Sequence, residues 1–289
     1  MQRRSFLKQS GLLTAGAFTL NQTNLLANAP AKNINPFGVQ LYSVRDVLPK
    51  DPRGVMTQLA QMGYKQFESY EGPQGFLWGM NPKESKSFLN DQGVKMISTH
   101  FNFRKHYDEP GGLQKSIDMA SEAGLSYLLC PYIGPQKSFD DWKKIAEQFN
   151  KAGEQVRKSG LKFGYHNHDY SFKPLDGKLP QEYLLANTDP KNVMFELDLC
   201  WIDVAGVDTI AHLKQYGKRY ELCHIKDYKK ENGKPVQNDL GKGEVDFKKT
   251  LRTAMDSGIK YFIVEQEEYP QAVMTSMKND AEYMKVLSV

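Results

Sequence analysis

Helix-length stretches of this chain repeatedly end in a glycine, and a short apolar run then follows. The junctions are Met62-Gly63-Tyr64, Gln92-Gly93-Val94, Ala123-Gly124-Leu125, Ser159-Gly160-Leu161, Tyr216-Gly217-Lys218 and Ser257-Gly258-Ile259. Glycine one step past a helix takes the left-handed conformation without the penalty that a Cβ brings. An apolar run of about six residues behind such a stop is a buried strand. With two runs that lack the glycine, eight strands are predicted, at residues 37–42, 64–69, 94–100, 126–131, 161–168, 193–199, 220–225 and 261–266. Each interval has room for one helix and two loops. Helical periodicity fills several of them, as at residues 139–159 and 207–216. Eight such units without a break in composition predict an α/β fold, a single (β/α)8 TIM barrel over residues 32–289. An open doubly wound sheet needs a glycine-rich phosphate loop after an early strand, and the sequence has none.

In such a barrel alternate strand residues point to the axis, and the C-terminal strand ends form the working face. On the fifth strand Lys162, Gly164, His166 and His168 then face inward, with Leu161, Phe163 and Tyr165 toward the helices. The same parity turns Glu196 and Asp198 inward on the sixth strand, His224 and Lys226 on the seventh, and Glu265 and Glu267 on the eighth. Glu68 and His100 end the second and third, and Gln40 and Tyr42 share a face on the first. Buried carboxylates and imidazoles are costly without partners, and one shared divalent cation would offset several at once. His166, Asp198, His224 and Glu265 come from four consecutive strands. Two imidazoles with two carboxylates suit Mn²⁺, Co²⁺, Fe²⁺, Ni²⁺ or Zn²⁺, with Mg²⁺ also open. A salt-bridged polar plug is the plainer alternative.

The formal charge of +4 misleads, because residues 1–31 carry Arg3, Arg4 and Lys8 and no acid. The rest is near neutrality, which gives no electrostatic case for nucleic acid or an anionic membrane surface. The leading segment has the layout of a signal peptide: Arg3-Arg4-Ser5-Phe6-Leu7-Lys8, a mildly apolar run from Gly11 to Leu20, then Ala27-Asn28-Ala29. It resembles a twin-arginine (Tat) export signal, which implies a periplasmic protein carried folded. The run is too short for a stable membrane anchor. Cys130, Cys200 and Cys223 all lie in or beside apolar strands, and such a sparse, odd set reads as core packing rather than a disulfide framework.

Five ordered motifs carry a family resemblance across the whole mature chain. They are Gly38-Val39-Gln40-Leu41-Tyr42-Ser43-Val44-Arg45-Asp46, Tyr165-His166-Asn167-His168-Asp169-Tyr170, Asp198-Leu199-Cys200-Trp201, His224-Ile225-Lys226-Asp227 and Val264-Glu265-Gln266. Together they resemble the xylose isomerase-like TIM barrel superfamily, often labelled sugar phosphate isomerase/epimerase. In its ketose epimerases the metal ligands run Glu, Asp, His, Glu over strands five to eight. Asp198, His224 and Glu265 match that pattern, and His166 stands where the first glutamate belongs. The histidine-rich fifth strand is more similar to inosose dehydratases and 3-keto-glycoside lyases. The resemblance implies abstraction of a proton next to a carbonyl through a metal-stabilised enediolate.

Candidate catalytic groups are His168, Lys226 and Glu68. His168 is a base, a fifth ligand or a substrate hydrogen-bonder. Lys226 is a base, a charged oxyanion holder, or simply ion-paired with Asp227 or Glu196. Gln40, Tyr42, His100, Trp201 and Glu267 are candidates for binding the sugar. The loop 240–246 has glycines that permit close approach to a ligand or a tight turn. His106 falls in a polar loop at 104–109, a candidate lid, and His212 is expected on a helix surface. The leading functional reading is a metal-dependent isomerase or epimerase of a non-phosphorylated sugar, because the mouth shows no Arg/Lys cluster. The second is a lyase or dehydratase acting on keto-sugars or 3-keto-glycosides, which the departure at His166 favours. A non-catalytic sugar-binding barrel is the third. A DNA-repair nuclease is set aside for want of further metal ligands. The partner is a small sugar or keto-glycoside, with a homo-oligomer left open.

Overall fold

All eight expected strands form, as β1 (Gly38–Gln40), β2 (Gln66–Tyr70), β3 (Lys95–His100), β4 (Tyr127–Cys130), β5 (Lys162–His166), β6 (Val193–Asp198), β7 (Tyr220–Ile225) and β10 (Tyr261–Val264). They close into a parallel barrel in the order β1-β10-β7-β6-β5-β4-β3-β2. The computed structural model describes residues 32–289. The expected signal segment, 1–31, lies outside the described residues. No helix among the described residues is long and apolar enough to cross a membrane.

Glycine stops the helices much as the pattern predicts. Gly63, Gly93, Gly124, Gly160 and Gly258 all have positive φ. Gly217 does not; its φ is −53°. It is glycine for closeness instead, since a Cβ there would lie 2.4 Å from the Ser257 side chain. Side-chain caps start several of the helices: the Asp51 carboxylate accepts the Gly54 N–H at 2.9 Å, and Asn81 with Glu84 forms a capping box.

Two apolar bodies sandwich the barrel wall. The larger lies between strands and helices and includes Phe67, Phe163, Phe195 and Ile225. The smaller fills the barrel and consists of Ile97, Tyr127, Leu129, Met194, Leu222 and Ile263. Gly164 belongs to this inner layer, for its Cβ would fall 2.2 Å from Met194 Sδ and 2.6 Å from Leu129 Cδ2. Below it Glu221 closes the N-terminal end, ion-paired with Lys162 and Lys260 and accepting the Tyr127 hydroxyl at 2.9 Å. Above it come the polar strand ends. The period of two therefore stacks Lys162, Gly164 and His166 up one strand, and Met194, Glu196 and Asp198 up the next.

A hairpin that the strand count does not include follows β7: β8 (Asp227–Glu231) pairs antiparallel with β9 (Lys234–Asn238). Its turn is Asn232-Gly233, both at positive φ, which is the turn that twisted two-residue hairpins select. Residues 104–109, expected as a loop, lie largely in a short helix, Phe103–Asp108. His212, expected at the surface, is buried at 5% exposure, because it shares the inward stripe of helix Thr209–Tyr216 with Thr209 and Leu213. The three cysteines are buried and free, as their apolar setting predicts.

Candidate metal centre

The strand-end residues converge. Side-chain atoms of His166, Asp198, His224 and Glu265 all lie within 4.8 Å of one another, and each of the four is buried. Asp198 enters this group with its geometry already fixed. It ends β6 and caps the following helix, Leu199–Val204, so its Oδ1 accepts the N–H of Cys200 at 2.9 Å and of Trp201 at 2.8 Å. Its Oδ2 is buried and has no hydrogen-bond partner apart from the Lys226 ammonium 3.1 Å away. That oxygen is 3.9 Å from His166 Nε2 and 3.9 Å from His224 Nδ1. Such gaps exceed hydrogen-bond length. They are near the ~3.4 Å that separates two donors of a tetrahedral ion about 2.1 Å from each.

Asn167 sets the height of this group. Its Oδ1 accepts the Asp198 N–H at 3.0 Å and its Nδ2 reaches the Asp198 carbonyl at 3.5 Å. The side-chain amide thus continues the β5–β6 ladder after β5 itself has ended at His166. His168 lies beyond that end. It lines the cleft, and its Nδ1 is buried without a partner. Burial, then His166 and Lys226, lower its pKa to about 3, so it is a neutral imidazole.

Lys226 is fully buried among three carboxylates: Glu267 at 2.5 Å, Glu265 at 2.6 Å and Asp198 at 3.1 Å. Burial alone would lower its pKa, but Asp198, Glu265 and Glu267 raise it well above the usual lysine value. It also stands 5.2 Å over the Trp201 ring. Asp227, its chain neighbour, is engaged elsewhere. The Asp227 carboxylate accepts N–H groups from Tyr228, Gly241, Gly243 and Val245, so the glycines of loop 240–246 fold around a carboxylate of the chain itself. Burial would raise Glu265 too, yet Lys226 and His224 hold its pKa well below the carboxylate range.

A deeper polar layer supports these groups. Glu68 Oε1 accepts Gln40 Nε2 at 2.8 Å and His224 Nε2 at 2.7 Å, and its Oε2 accepts the Ser98 hydroxyl at 2.5 Å. His100 Nε2 lies between Glu68 (3.0 Å) and Glu196 (2.9 Å). Burial alone would lower His100, but these two carboxylates raise its pKa to about 9. Glu196 Oε2 also meets His166 Nδ1 at 3.1 Å. Gln40 and Glu68 therefore sit beneath the cleft with their polar atoms engaged.

Above the donors opens a cleft of about 460 Å³. Glu71, Glu265 and Glu267 line it, and among the described residues its lining includes no Arg or Lys. Its rim carries two exposed aromatics, Tyr42 and Tyr132. Tyr132 packs edge-on against His168 at 5.3 Å. His106 donates to Glu71 at 2.8 Å and so ties helix Phe103–Asp108 to the rim. Trp201 lies behind, stacked 6.1 Å from His168.

The parity reading brings together the four metal candidates, His168, Lys226, Glu68, His100, Gln40 and Glu267. It places Glu196 inward without a role, and it misses Tyr132, Glu71 and Asn167. The signal for Asn167 was present, as an amide between two inward histidines. Tyr132 gave none beyond following a strand.

A family profile described as xylose isomerase-like TIM barrel matches residues 56–287. Inosose dehydratase from Clostridium perfringens is 27% identical over 203 residues, 65% of this chain and 62% of that protein, so the match spans less than two thirds of its length. The crystal structure of a sugar phosphate isomerase/epimerase from Parabacteroides distasonis ATCC 8503 is 27% identical with a TM-score of 0.74, covering 90% of this chain and 96% of that one. The IolI protein, whose structure holds a zinc atom, is 14% identical with a TM-score of 0.70 over 87% of this chain and 96% of that one. At that identity the likeness is one of fold.

Proposed function

The chain belongs to the xylose isomerase-like TIM barrel family, and from that premise we propose that it is a divalent-metal-dependent enzyme acting next to the carbonyl of a non-phosphorylated sugar. The observation that carries this reading is the buried donor set His166, Asp198, His224 and Glu265, with the otherwise unpartnered Asp198 Oδ2, directly under an open cleft. A divalent cation bound there would supply positive charge to a carbonyl oxygen and so acidify the adjacent C–H. His168 lines the cleft as a neutral imidazole and is the group we assign to accept that proton. Lys226 holds Asp198, Glu265 and Glu267 in place. The rim tyrosines offer flat apolar faces to a sugar ring. The lining offers no Arg or Lys side chain to pair with a phosphate dianion.

What happens after proton removal separates two readings. Return of the proton makes an isomerase or epimerase, which the Parabacteroides neighbour supports. Expulsion of a β-substituent makes a lyase or dehydratase. Elimination fits better, because the fifth strand supplies His166 where two-base epimerisation wants a carboxylate, and because the Clostridium relative is a dehydratase. The twin-arginine pattern at Arg3-Arg4 supports export to the periplasm.

Incubation of Mn²⁺- or Zn²⁺-loaded protein with inososes, 3-keto-glucosides and free ketoses in deuterated water tests the reading. Elimination gives an unsaturated ketone and a released hydroxyl compound. Isomerisation gives a deuterated isomer with nothing released. A protein that holds the metal, binds sugar and leaves every α-hydrogen in place would be the sugar-binding barrel instead.

A further inference from the structure

We infer that Glu196 and Glu68 are the positioning residues of this centre: each takes the N–H of a donor imidazole from below and so decides which ring nitrogen faces the cation. The inference rests on the metal reading above. Both donor imidazoles lie between two levels of carboxylate. His166 presents Nδ1 to Glu196 Oε2 at 3.1 Å and Nε2 to Asp198 Oδ2 at 3.9 Å. His224 presents Nε2 to Glu68 Oε1 at 2.7 Å and to Glu196 Oε2 at 3.3 Å. Its Nδ1 faces Glu265 at 3.0 Å and Asp198 at 3.9 Å.

A carboxylate only accepts, so each lower contact requires a hydrogen on the ring nitrogen that makes it. An imidazole that gives one nitrogen to a cation must carry its hydrogen on the other. His224 Nδ1 meets Glu265 at 3.0 Å, a contact that also needs a hydrogen, so without a cation this ring carries one on each nitrogen. A cation at the level of Asp198 and Glu265 would displace the upper hydrogen, and the lower layer would then hold opposite tautomers on strands two apart: Nδ1–H for His166 and Nε2–H for His224. This leaves His166 Nε2 and His224 Nδ1 for the level of Asp198 and Glu265. The two carboxylates are themselves fixed. His100 Nε2 bridges them at 3.0 and 2.9 Å, and Gln40 and Ser98 take up the rest of Glu68. Glu68, Ser98, Glu196 and His224 are wholly buried, so water does not compete for these bonds.

The lower residues offer a competing geometry. His100, His166, Glu196 and His224 also bring ligand atoms within 4.8 Å of one another. A cation at that level would use His166 Nδ1 and His224 Nε2, and Glu196 would be a ligand rather than a support. The two arrangements demand opposite ring hydrogens, and that makes them separable.

Long-range ¹H–¹⁵N correlation on zinc-loaded, ¹⁵N-histidine-labelled protein reads the ring hydrogens directly. The expected result is His166 as Nδ1–H and His224 as Nε2–H, each with its other nitrogen shifted by the metal. The reverse pattern in both rings overturns the inference while leaving the metal reading intact. A wild-type protein that binds no Zn²⁺ or Mn²⁺ sinks both. In parallel, Zn²⁺ affinity is measured by chelator competition for Glu196→Ala, Glu68→Ala, Glu196→Gln and Glu68→Gln, with folding followed by near-UV circular dichroism. The alanine variants should bind about 10–100-fold more weakly, and glutamine, which keeps an accepting oxygen, should recover most of the loss. Unchanged affinity in the alanine variants, or glutamine as weak as alanine, refutes the assignment. Should an alanine variant not fold, the spectrum of the wild-type protein still decides the matter.

Discussion

His212 gives the stability of this barrel an acid limit. Its ring is buried against Phe172, Tyr216 and Tyr220, and its Nε2 lies 2.8 Å from the Tyr220 hydroxyl. That hydroxyl also accepts a hydrogen from Gln181 Nε2 at 3.1 Å, which leaves its own hydrogen available to a neutral His212. Burial lowers the His212 pKa from 6.5 to about 4. The folded state therefore binds this proton less readily than the unfolded chain. Its contribution is intact above pH 6.5 and drains away as the pH falls from there to about 4. At about 1.4 kcal/mol per unit, the full shift is worth roughly 3.4 kcal/mol, of which about 2.5 kcal/mol is lost by pH 4.5. Equilibrium urea unfolding of wild type and His212→Gln at pH 7.5 and pH 4.5 measures it. The glutamine variant loses ring packing at both pH values but has nothing to protonate. Wild type should lose about 2.5 kcal/mol more than the variant between the two conditions. Parallel losses would refute the buried neutral imidazole.

Other consequences can be checked as directly. Asp198→Ala or His224→Ala should deplete bound divalent metal on elemental analysis, and full occupancy in both variants would remove the proposed donor set. Gly164→Ala forces a methyl against Met194 and Leu129, whose flexible tips can shift in part. Its unfolding free energy should fall by about 1–3 kcal/mol, and an unchanged value would show that the inner layer has slack beneath His166. Replacing Arg3 and Arg4 together by lysine should keep the protein in the cytoplasm on cell fractionation. Continued export would reject the twin-arginine reading.

The sequence made the vertical order of the barrel readable, because two regularities count in the same direction. A glycine stop marks where each strand begins, and the period of two then says which residues face the axis and how high they stand. That was enough to bring His166, Asp198, His224 and Glu265 to one level. It failed where a contact depends on lateral reach or on local turns. Nothing in the spacing says that Glu68 on β2 meets His224 on β7 at 2.7 Å, since that distance depends on how far the closed sheet is sheared and where it bulges. A bulge between Phe67 and Glu68 sets the register there. The Asn232-Gly233 hairpin and the buried place of His212 were readable from turn chemistry and helical spacing, but the strand count did not require them.

Asp198 shows how little of a site's precision has to be encoded at a distance. The run Asp198-Leu199-Cys200-Trp201 ends a strand and starts a helix, so one carboxylate oxygen is bound to the new helix's first N–H groups by local geometry alone. Asn167 then fixes the height of the same residue from the neighbouring strand. With one oxygen and the backbone held, the second oxygen points across the barrel, beside the Lys226 ammonium at 3.1 Å and 3.9 Å from His166 Nε2 and His224 Nδ1. A cap that any helix would use is thereby turned into a directed donor for the proposed cation. A carboxylate substituted with its cap intact, as in Asp198→Asn, should therefore keep the fold and lose the metal, whereas Asp198→Ala should weaken both. If Asp198→Asn binds Zn²⁺ as wild type does, the oxygen that does not cap the helix is not the one that matters.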